Sequence, residues 1–103
     1  MMEKRANIKI PRDKIKFFCE KHHIHKLSFF GSVLRDDFKP DSDVDVLVEF
    51  GPNQVVGLLR LSGMEMELSE ILGYNVDLRT PAELSGYFRQ EVIDSAEVQY
   101  AER

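Results

Sequence analysis

The chain has 103 residues, 43% of them hydrophobic, and a net charge of −4, which predicts a single domain over residues 1–103 with one modest core rather than a disordered chain. Its apolar runs are too short to cross a membrane, and the basic N-terminus lacks the apolar segment that follows it in a secretory signal. Because one cysteine cannot build a disulfide framework, we expect a cytoplasmic protein in which Cys19 packs as a small apolar side chain.

The first two predicted elements are a helix and a strand. Residues 10–22, IPRDKIKFFCEKH, predict a helix because Pro11 suits a first helical position and apolar side chains recur at helical spacing. The residues with that spacing are Ile15, Phe18, Cys19 and His22. Residues 26–30, KLSFF, then predict a strand that ends at Gly31.

The next predicted elements place acidic residues on a strand that belongs in a core. Residues 32–37, SVLRDD, predict a short helix that starts at the Gly-Ser pair, and residues 39–42, KPDS, predict a turn. Residues 42–50, SDVDVLVEF, predict a strand because apolar residues alternate along it. One face of this strand carries Val44, Val46 and Val48, and the other carries Asp43, Asp45 and Leu47.

The second half of the chain predicts a long helix, a third strand and a C-terminal helical region. Residues 54–72 have an apolar stripe with helical spacing, and Gly73 is suited to end that helix. Residues 74–80, YNVDLRT, predict a strand, and residues 80–83, TPAE, have the capping-box pattern that starts a helix. From about residue 87 the apolar residues predict a final amphipathic helix to the C-terminus. This order predicts an α+β fold, an α/β sandwich in which helices pack against a small mixed sheet.

Two aspartates on an apolar strand require something that compensates their charge. Side chains alternate along a strand, so Asp43 and Asp45 lie on one side with Cα atoms roughly 6.6 Å apart at about 3.3 Å per residue. Asp77 on the next predicted strand joins them if the two strands are neighbours. Carboxylates this close repel unless a cation compensates them, and Mg²⁺ prefers oxygen ligands. Three acids on adjacent strands can hold two metal ions about 3.5–4 Å apart, as in two-metal phosphoryl transfer.

The Gly31-Ser32 pair upstream of these acids predicts a phosphate site. Glycine lets the backbone approach a ligand closely, and Ser32 opens a predicted helix whose free N–H groups favour phosphate oxygens. The pair alone is also typical of an ordinary turn, but in combination with the acid strands it predicts binding of a nucleoside triphosphate. Arg35 either contacts the phosphates or pairs with an acid of the site, and the spacing leaves both readings open.

The charge is distributed unevenly along the chain. Residues 1–26 hold eight Lys/Arg against three Asp/Glu, whereas residues 27–80 hold four against ten. An acidic middle segment suits a site that concentrates metal cations, and it disfavours direct nucleic-acid binding, in which phosphate contacts dominate the affinity. The irregular spacing of His22, His23 and His25 favours exposed imidazoles at a helix end over a second metal site.

The segment GSVLRDDFKPDSDVDVLV resembles the signature of the nucleotidyltransferase superfamily that includes DNA polymerase beta, in which Gly-Ser precedes Asp-x-Asp in a strand. The short length, Arg35, the sequence SDVD and the segment TPAELSGYFRQEVIDSAEVQYA narrow this resemblance to the minimal nucleotidyltransferases, or MntA-like antitoxins. The resemblance covers nearly the whole chain from about Leu27. In one departure, many relatives have Ala-Arg-Gly where this chain has Leu34, Arg35 and Asp36.

The resemblance implies one minimal domain with the nucleotidyltransferase fold. It implies that Gly31 and Ser32 contact the triphosphate, that Asp43 and Asp45 bind metal, and that Asp77 is the third metal-binding carboxylate and the catalytic base. It further implies ATP as substrate, two Mg²⁺ ions, AMP transfer onto a protein hydroxyl, and a role as antitoxin of a HEPN-domain ribonuclease toxin. Two alternatives remain open, namely a catalytically weak antitoxin that acts by covering its partner, and a transferase that modifies a small molecule.

Overall fold

A four-stranded mixed β-sheet forms the centre of the fold in the computed structural model, which describes residues 7–52 and 54–102. The strands are β1 (Ile24–Phe30), β2 (Val44–Phe50), β3 (Val76–Arg79) and β4 (Glu97–Ala101). The helices are α1 (Arg12–Lys21), α2 (Leu58–Leu72) and α3 (Gly86–Ser95). The predicted α+β fold with a small mixed sheet is confirmed. Within the described residues, no helix is long and apolar enough to span a membrane.

The strands lie in the order β3-β2-β1-β4 across the sheet. β1 runs antiparallel to both β2 and β4, whereas β2 and β3 run parallel. Parallel neighbours cannot be joined by a tight turn, and α2 lies in the crossover between them. Gly73 ends α2 as predicted, because its left-handed backbone lets its N–H donate to the Ser69 carbonyl at 2.8 Å.

The two faces of the sheet carry apolar clusters of unequal size. α1 and α2 cover one face, where the larger cluster forms. Its fully buried members include Ile15, Phe18, Leu27, Phe29, Val44, Val46, Val48, Met64 and Leu68. α3 lies over the other face, and the smaller cluster there consists of Phe30, Leu47, Leu84 and Val92. Because side chains alternate along β2, this smaller cluster shares its face of the sheet with Asp45.

The prediction of a helix that runs to the C-terminus is wrong beyond Ser95. α3 ends there, Ala96 adopts an extended backbone, and the chain continues as β4. In β4, Val98 lies opposite Ser28 of β1 and Tyr100 lies opposite Leu27. Backbone hydrogen bonding to the free edge of β1 therefore outweighs the weak helical spacing of the C-terminal apolar residues.

Two other predicted helix starts form only single 3₁₀ turns. The first spans Gly31–Leu34 rather than residues 32–37, and the second spans Pro81–Glu83. The predicted capping box at the second turn is present, because the Thr80 N–H donates to Glu83 Oε1 at 2.9 Å. Leu84 then returns to extended backbone and packs into the smaller cluster, which separates this turn from α3.

α1 and α2 are joined through the carboxylate of Glu67. Glu67 Oε1 lies 2.9 Å from His22 Nε2, and its Oε2 lies 3.0 Å from Lys21 Nζ. Burial raises the pKa of Glu67, but the hydrogen bonds from His22 and Lys21 outweigh burial and hold that pKa below its ordinary value. The imidazole of His22 is mostly buried, so the prediction of exposed imidazoles is wrong for this histidine. His25 is exposed, as predicted, and pairs with Glu102 at 3.2 Å.

Cys19 lies fully buried in the larger cluster, as the sequence predicts for a small apolar side chain. Burial, with a smaller contribution from the nearby charge of Glu20, raises the pKa of its thiol to about 12. The thiol therefore stays protonated at neutral pH and has no nucleophilic role.

Candidate active site

The predicted acidic residues meet where β2 and β3 run side by side. Asp45 lies directly opposite Asp77 in the parallel register, which confirms that the two acid-bearing strands are neighbours. Asp43 is exposed and comes one residue before β2 begins. The Val44 N–H donates to the Asn75 carbonyl at 2.8 Å and extends the strand pairing up to this point. Two carboxylates are thus neighbours across the sheet, and the third lies at the entrance to β2.

Asp45 is a partly buried carboxylate whose surroundings disfavour its charge. Burial raises its pKa, and the charges of Asp77 and Asp43 raise it further. The charges of Arg79 and Arg35 act in the opposite direction but do not cancel these effects. The charged form of Asp45 is therefore disfavoured in the folded chain, and a cation bound beside it would relieve both the desolvation and the repulsion.

Asp77 is held by a neighbour on its own strand. Arg79 Nε lies 3.1 Å from Asp77 Oδ1, and Arg79 Nη2 donates to Asp77 Oδ2 at 3.2 Å. The guanidinium thus contacts both carboxylate oxygens in the forked geometry that arginine favours. Residues two apart on a strand share a face, so β3 itself places the two side chains together. Arg79 thus pairs with an acid of the candidate site.

Gly31 has a backbone conformation and a close neighbour on β2 that both favour glycine at this position. Its φ of +77° lies in the left-handed region, which L side chains rarely adopt. A Cβ atom at this position would overlap the carboxylate of Asp45. The sequence predicts a glycine that admits a ligand, whereas the structure places the Asp45 carboxylate in the space that a side chain would fill.

The turn that carries Ser32 is short and is held from outside. Gly31–Leu34 is a single 3₁₀ turn, so the predicted helix of residues 32–37, whose free N–H groups were expected to favour a phosphate, does not form. The Ser32 hydroxyl donates a long hydrogen bond of 3.5 Å to the Asp43 carbonyl. Asn7 clamps the turn, because its backbone N–H and its side-chain amide both donate to the Val33 carbonyl at 2.9 Å. The contact of Ser32 with nucleotide stays a prediction.

Arg35 pairs with Asp37 rather than with an acid of the site. The Arg35 Nε to Asp37 Oδ1 distance is 3.5 Å and both side chains are mostly exposed, so this ion pair is weak. Arg35 also lines a cleft together with Gly31 and Asp45. Its guanidinium is therefore near the site and free to exchange Asp37 for another anion.

Two open clefts meet at Asp45. The first, of about 410 Å³, is lined by Phe30, Gly31, Leu34, Arg35, Asp45, Phe88, Glu91, Val92 and Ser95. The second, of about 370 Å³, is lined by Phe30, Asp45, Asp77, Arg79, Glu83, Leu84, Ser85 and Phe88. Phe30 and Phe88 line both clefts, and Phe88 remains 47% exposed. The sequence carries no signal for these two aromatic residues, because their spacing is that of ordinary core side chains.

The chain matches a known family along most of its length. The sequence model described as the nucleotidyltransferase domain matches residues 12–98. This chain belongs to the nucleotidyltransferase domain family. A Methanocaldococcus jannaschii protein to which protein adenylyltransferase activity is assigned is 36% identical to it over 90 residues. The match covers 87% of this nucleotidyltransferase and 95% of that relative.

Solved structures share the nucleotidyltransferase fold of the chain. A toxin–antitoxin structure with AMP-PNP has a TM-score of 0.74 at 18% identity, covering 91% of this chain and 76% of that chain. A complex of a tri-AMPylated HEPN toxin of Shewanella oneidensis with an MNT antitoxin has a TM-score of 0.60 at 18% identity, covering 88% of this chain and 70% of that chain. At these identities the likeness shows the fold of this nucleotidyltransferase.

The nucleotidyltransferase fold implies a divalent metal, and the acids fit one in part. Asp43 and Asp45 supply carboxylate oxygens, and the raised pKa of Asp45, caused by burial and by the neighbouring acids, marks a place where a cation is favourable. Across residues 7–52 and 54–102, however, no three His, Cys, Asp or Glu side chains are arranged as ligands of one ion. Both oxygens of Asp77 contact Arg79. Participation of Asp77 in a metal site stays a prediction.

Proposed function

We propose that this nucleotidyltransferase moves AMP from ATP onto a hydroxyl group of a protein, and that the protein is a HEPN-type ribonuclease toxin for which the chain is the antitoxin. The observation that carries the proposal is the pair of clefts that meet at Asp45. Such a pair suits a reaction with two substrates. The assigned activity of the archaeal relative and the AMPylated toxin seen with a protein of this fold support the choice of AMP and partner.

The first cleft is the proposed nucleotide site. Its volume of about 410 Å³ lies in the range of ordinary small-molecule sites. Arg35 brings a positive charge that can leave Asp37 for a phosphate, and Gly31 brings the backbone of the turn close to Asp45. The exposed ring of Phe88 offers a surface on which a base can stack.

The second cleft is the proposed acceptor site. It contains Asp77, which would accept the proton of the attacking hydroxyl once that hydroxyl lies within hydrogen-bond distance. A hydroxyl there would face the nucleotide cleft across Asp45, which both clefts share. The chain therefore orients both reactants about one carboxylate, and this proximity supplies a large part of the rate.

Mg²⁺ is the proposed metal, held by Asp43 and Asp45 together with the triphosphate. Mg²⁺ commonly binds proteins through one or two carboxylates plus substrate phosphates, so two ligands from the chain are sufficient. When bound, the ion offsets the negative charge of the phosphates during transfer. Within the chain, Asp43 and Asp45 fix the place of that charge, and Arg35 and Arg79 supply the remaining positive groups.

An apolar side of α2 is the proposed docking surface for the partner protein. Leu59 is 91% exposed and Met66, two turns further along the same side, is 71% exposed, while Val55 just before the helix is 93% exposed. This surface continues into a groove that Leu58 shares with Asp77, Arg79, Glu65 and Glu83. Three of those four charged groups are acidic, so the groove fits a partner that brings apolar and basic side chains beside its acceptor hydroxyl.

We expect Leu59→Ser combined with Met66→Ser to weaken partner binding at least about tenfold, because full burial of a leucine or methionine side chain contributes roughly 1.5–3 kcal/mol. Calorimetry with the purified partner measures the loss. AMP-PNP affinity should stay unchanged, since neither residue lines the nucleotide cleft. The matched control is Val98→Ser, because Val98 is also an exposed apolar residue but lies on β4, at the edge of the sheet farthest from β3. Equal partner affinity in the double variant and the control would exclude α2 as the docking surface.

The test of the proposed function is to incubate the protein with its HEPN partner, ATP and Mg²⁺ and to weigh both chains by intact mass spectrometry. We expect the partner to gain the mass of AMP, and Asp77→Asn to lose that gain, because it removes the proposed base while keeping the shape. If Asp77→Asn still transfers AMP from ATP to the partner, Asp77 is not the catalytic base.

A second candidate is an antitoxin that acts by binding alone. The engagement of both Asp77 oxygens by Arg79 favours it, because the third carboxylate is then compensated without metal. A tight complex that neutralises the toxin with no mass change, in both wild type and Asp77→Asn, would decide for this candidate. A free nucleoside or sugar that gains AMP in the absence of any protein partner would instead support a small-molecule transferase.

A further inference from the structure

β3 is an edge strand whose outward backbone groups are occupied by side chains of α2. Among residues 7–52 and 54–102, β2 is its only neighbour in the sheet. On its other side the Val76 N–H donates to the Ser69 hydroxyl at 3.0 Å, and the Leu78 N–H donates to Glu65 Oε2 at 2.8 Å. The Ser69 hydroxyl in turn donates to the Glu65 carbonyl at 2.9 Å. Two helix side chains thus satisfy N–H groups that an edge strand ordinarily leaves unpaired.

The spacing of the helix matches that of the strand. Glu65 and Ser69 are four residues apart, so they lie on one side of α2 and are separated by about 6 Å along its axis, at about 1.5 Å per residue. Val76 and Leu78 are alternate residues of β3, separated by about 6.6 Å at about 3.3 Å per residue. Because the two spacings are nearly equal, each of the two outward N–H groups meets one acceptor from the helix.

Asp77 lies between the two anchored residues. Successive N–H groups of a strand point to opposite edges, so the Asp77 N–H faces β2 while those of Val76 and Leu78 face α2. Its backbone is therefore held from both sides, by the ladder with β2 and by the two α2 side chains. β3 has only four residues, and parallel pairing is slightly weaker per residue than antiparallel pairing. Two additional hydrogen bonds are thus a substantial part of what fixes Asp77 in place.

A catalytic base needs such fixation because its task depends on geometry. A general base must lie within hydrogen-bond distance of the proton that it removes, and a misplacement of about 1 Å can lower a rate about 100-fold. The Asp77 carboxylate extends from the segment that Glu65 and Ser69 hold, and it lines the proposed acceptor cleft. A charged acceptor such as Glu65 also makes a stronger hydrogen bond to a backbone N–H than a neutral acceptor does.

We infer that Glu65 is a positioning residue for AMP transfer, which together with Ser69 anchors the β3 backbone and thereby aims Asp77 at the acceptor hydroxyl. The inference rests on the proposed function, since Asp77 is the base only in that scheme. Glu65 contacts no reacting atom and acts through the Leu78 N–H. Glu65 and Leu78 line the same open groove, so water can reach that N–H when the acceptor is removed. Loss of Glu65 should therefore loosen β3 locally and leave the chain folded.

The test compares Glu65→Met with Glu65→Gln in the full chain. Both variants keep the length of the side chain and remove the charge that Glu65 presents to the partner, but only glutamine keeps an oxygen that accepts from the Leu78 N–H. In AMP transfer from ATP and Mg²⁺ to the HEPN partner, we expect the KM for the partner to rise in both variants. We expect kcat to fall at least about tenfold in Glu65→Met, and to stay nearer to that of wild type in Glu65→Gln.

Amide hydrogen exchange, measured by NMR on the chain alone, reports the anchor itself. The Leu78 N–H should exchange at least about fivefold faster in Glu65→Met, the scale expected for the loss of one hydrogen bond, and close to the wild-type rate in Glu65→Gln. Glu67→Gln is the control, because Glu67 lies on the same helix but binds α1 instead of β3. It should lower the stability to urea and leave both kcat and Leu78 exchange unchanged, which separates positioning from general loosening.

Ser69 supplies a second pair of variants. Ser69→Ala removes the acceptor of the Val76 N–H, whereas Ser69→Thr keeps a hydroxyl group. We expect kcat to fall in the alanine variant and to be retained in the threonine variant. Circular dichroism establishes that each variant is folded, and if Glu65→Met does not fold, the Ser69 pair carries the comparison.

The outcomes separate this inference from the proposed function. Unchanged Leu78 exchange in Glu65→Met, or equal kcat in Glu65→Met and Glu65→Gln, would overturn the positioning role and leave AMP transfer by the wild type standing. An equal loss of kcat in Glu67→Gln would overturn it as well, because any loosening of α2 would then be sufficient. If the wild type transfers no AMP to the partner, the proposed function itself is overturned, and the inference with it.

Discussion

Asp45→Asn should lower AMP transfer at least about 100-fold, the usual scale when a group that stabilises charge in a transition state is removed. Asp45 is the carboxylate that both clefts share, and no other described residue combines that position with a place beside Asp77 in the sheet. The asparagine keeps the shape but carries no negative charge with which to hold a cation. The measurement is the rate of AMP incorporation into the partner by intact mass spectrometry.

The same substitution should make the folded protein more stable at neutral pH, by up to about 1 kcal/mol, a limit set by solvent screening at a partly exposed site. Burial and the charges of Asp77 and Asp43 raise the pKa of Asp45 above its ordinary value of 3.8. A group whose pKa is raised by folding contributes stability that is fully present below pH 3.8 and is lost as the pH rises through the raised pKa. Urea unfolding at several pH values should show this loss in wild type and not in Asp45→Asn.

Asp41→Asn is the matched control for both effects, because it removes the same charge from an exposed turn beside the site. It should change neither the transfer rate nor the pH dependence of unfolding by a measurable amount. An Asp45→Asn protein that transfers AMP within a few-fold of wild type, or that is less stable than wild type at pH 7, would contradict the assignment of Asp45.

Gly31→Ala should destabilise the protein by about 2–4 kcal/mol. A left-handed backbone costs a residue with a Cβ roughly 1–2 kcal/mol, and the overlap of that Cβ with the Asp45 carboxylate adds a packing cost of similar size. Combining Gly31→Ala with Asp45→Gly should remove the overlap and recover its share of the lost stability. Only the cost of the left-handed backbone should then remain. The two components are thus separable by a double-mutant cycle in chemical denaturation.

The control for this prediction is Gly63→Ala, which lies in the middle of α2 with open space around the added methyl group. Alanine is the better helix former by about 0.8–1.0 kcal/mol, so this variant should be more stable than wild type. A Gly31→Ala protein within about 0.5 kcal/mol of wild type, the range of ordinary surface substitutions, would show that neither the backbone nor the overlap constrains position 31.

Much of the acidic site could be predicted from the sequence because strands have a fixed period. Alternation of valine with aspartate along β2 assigns Asp45 to the face opposite the larger apolar cluster, and the same alternation along β3 assigns Asp77. Those alternating patterns reflect only which side chains are buried, and the local order of apolar and polar residues indicates burial well. The meeting of the two acids was predicted only on the condition that the strands are neighbours, and the parallel register that places them opposite each other is a finding of the structure.

The remaining features depend on contacts between distant segments, which no local pattern records. The C-terminal segment becomes β4 because β1 offers a free edge, although the spacing of Val92, Ala96 and Tyr100 is compatible with a helix. Phe88 lines both clefts only because α3 packs over that face of the sheet. The forked contact of Arg79 with Asp77 depends on side-chain rotamers, and the sequence shows only that the two residues share a face.

The close approach of Gly31 to Asp45 leads us to expect that these two positions change together among relatives. With Asp45 in the orientation that the structure shows, a Cβ at position 31 would overlap its carboxylate, so a side chain at position 31 requires Asp45 to rotate away. Relatives that have lost the aspartate are freed from the overlap and keep only the requirement for a left-handed backbone, which asparagine also tolerates. Substitution at position 31 should therefore follow substitution at position 45 in lineages where transferase activity has decayed, and the glycine becomes a marker of an intact acidic site.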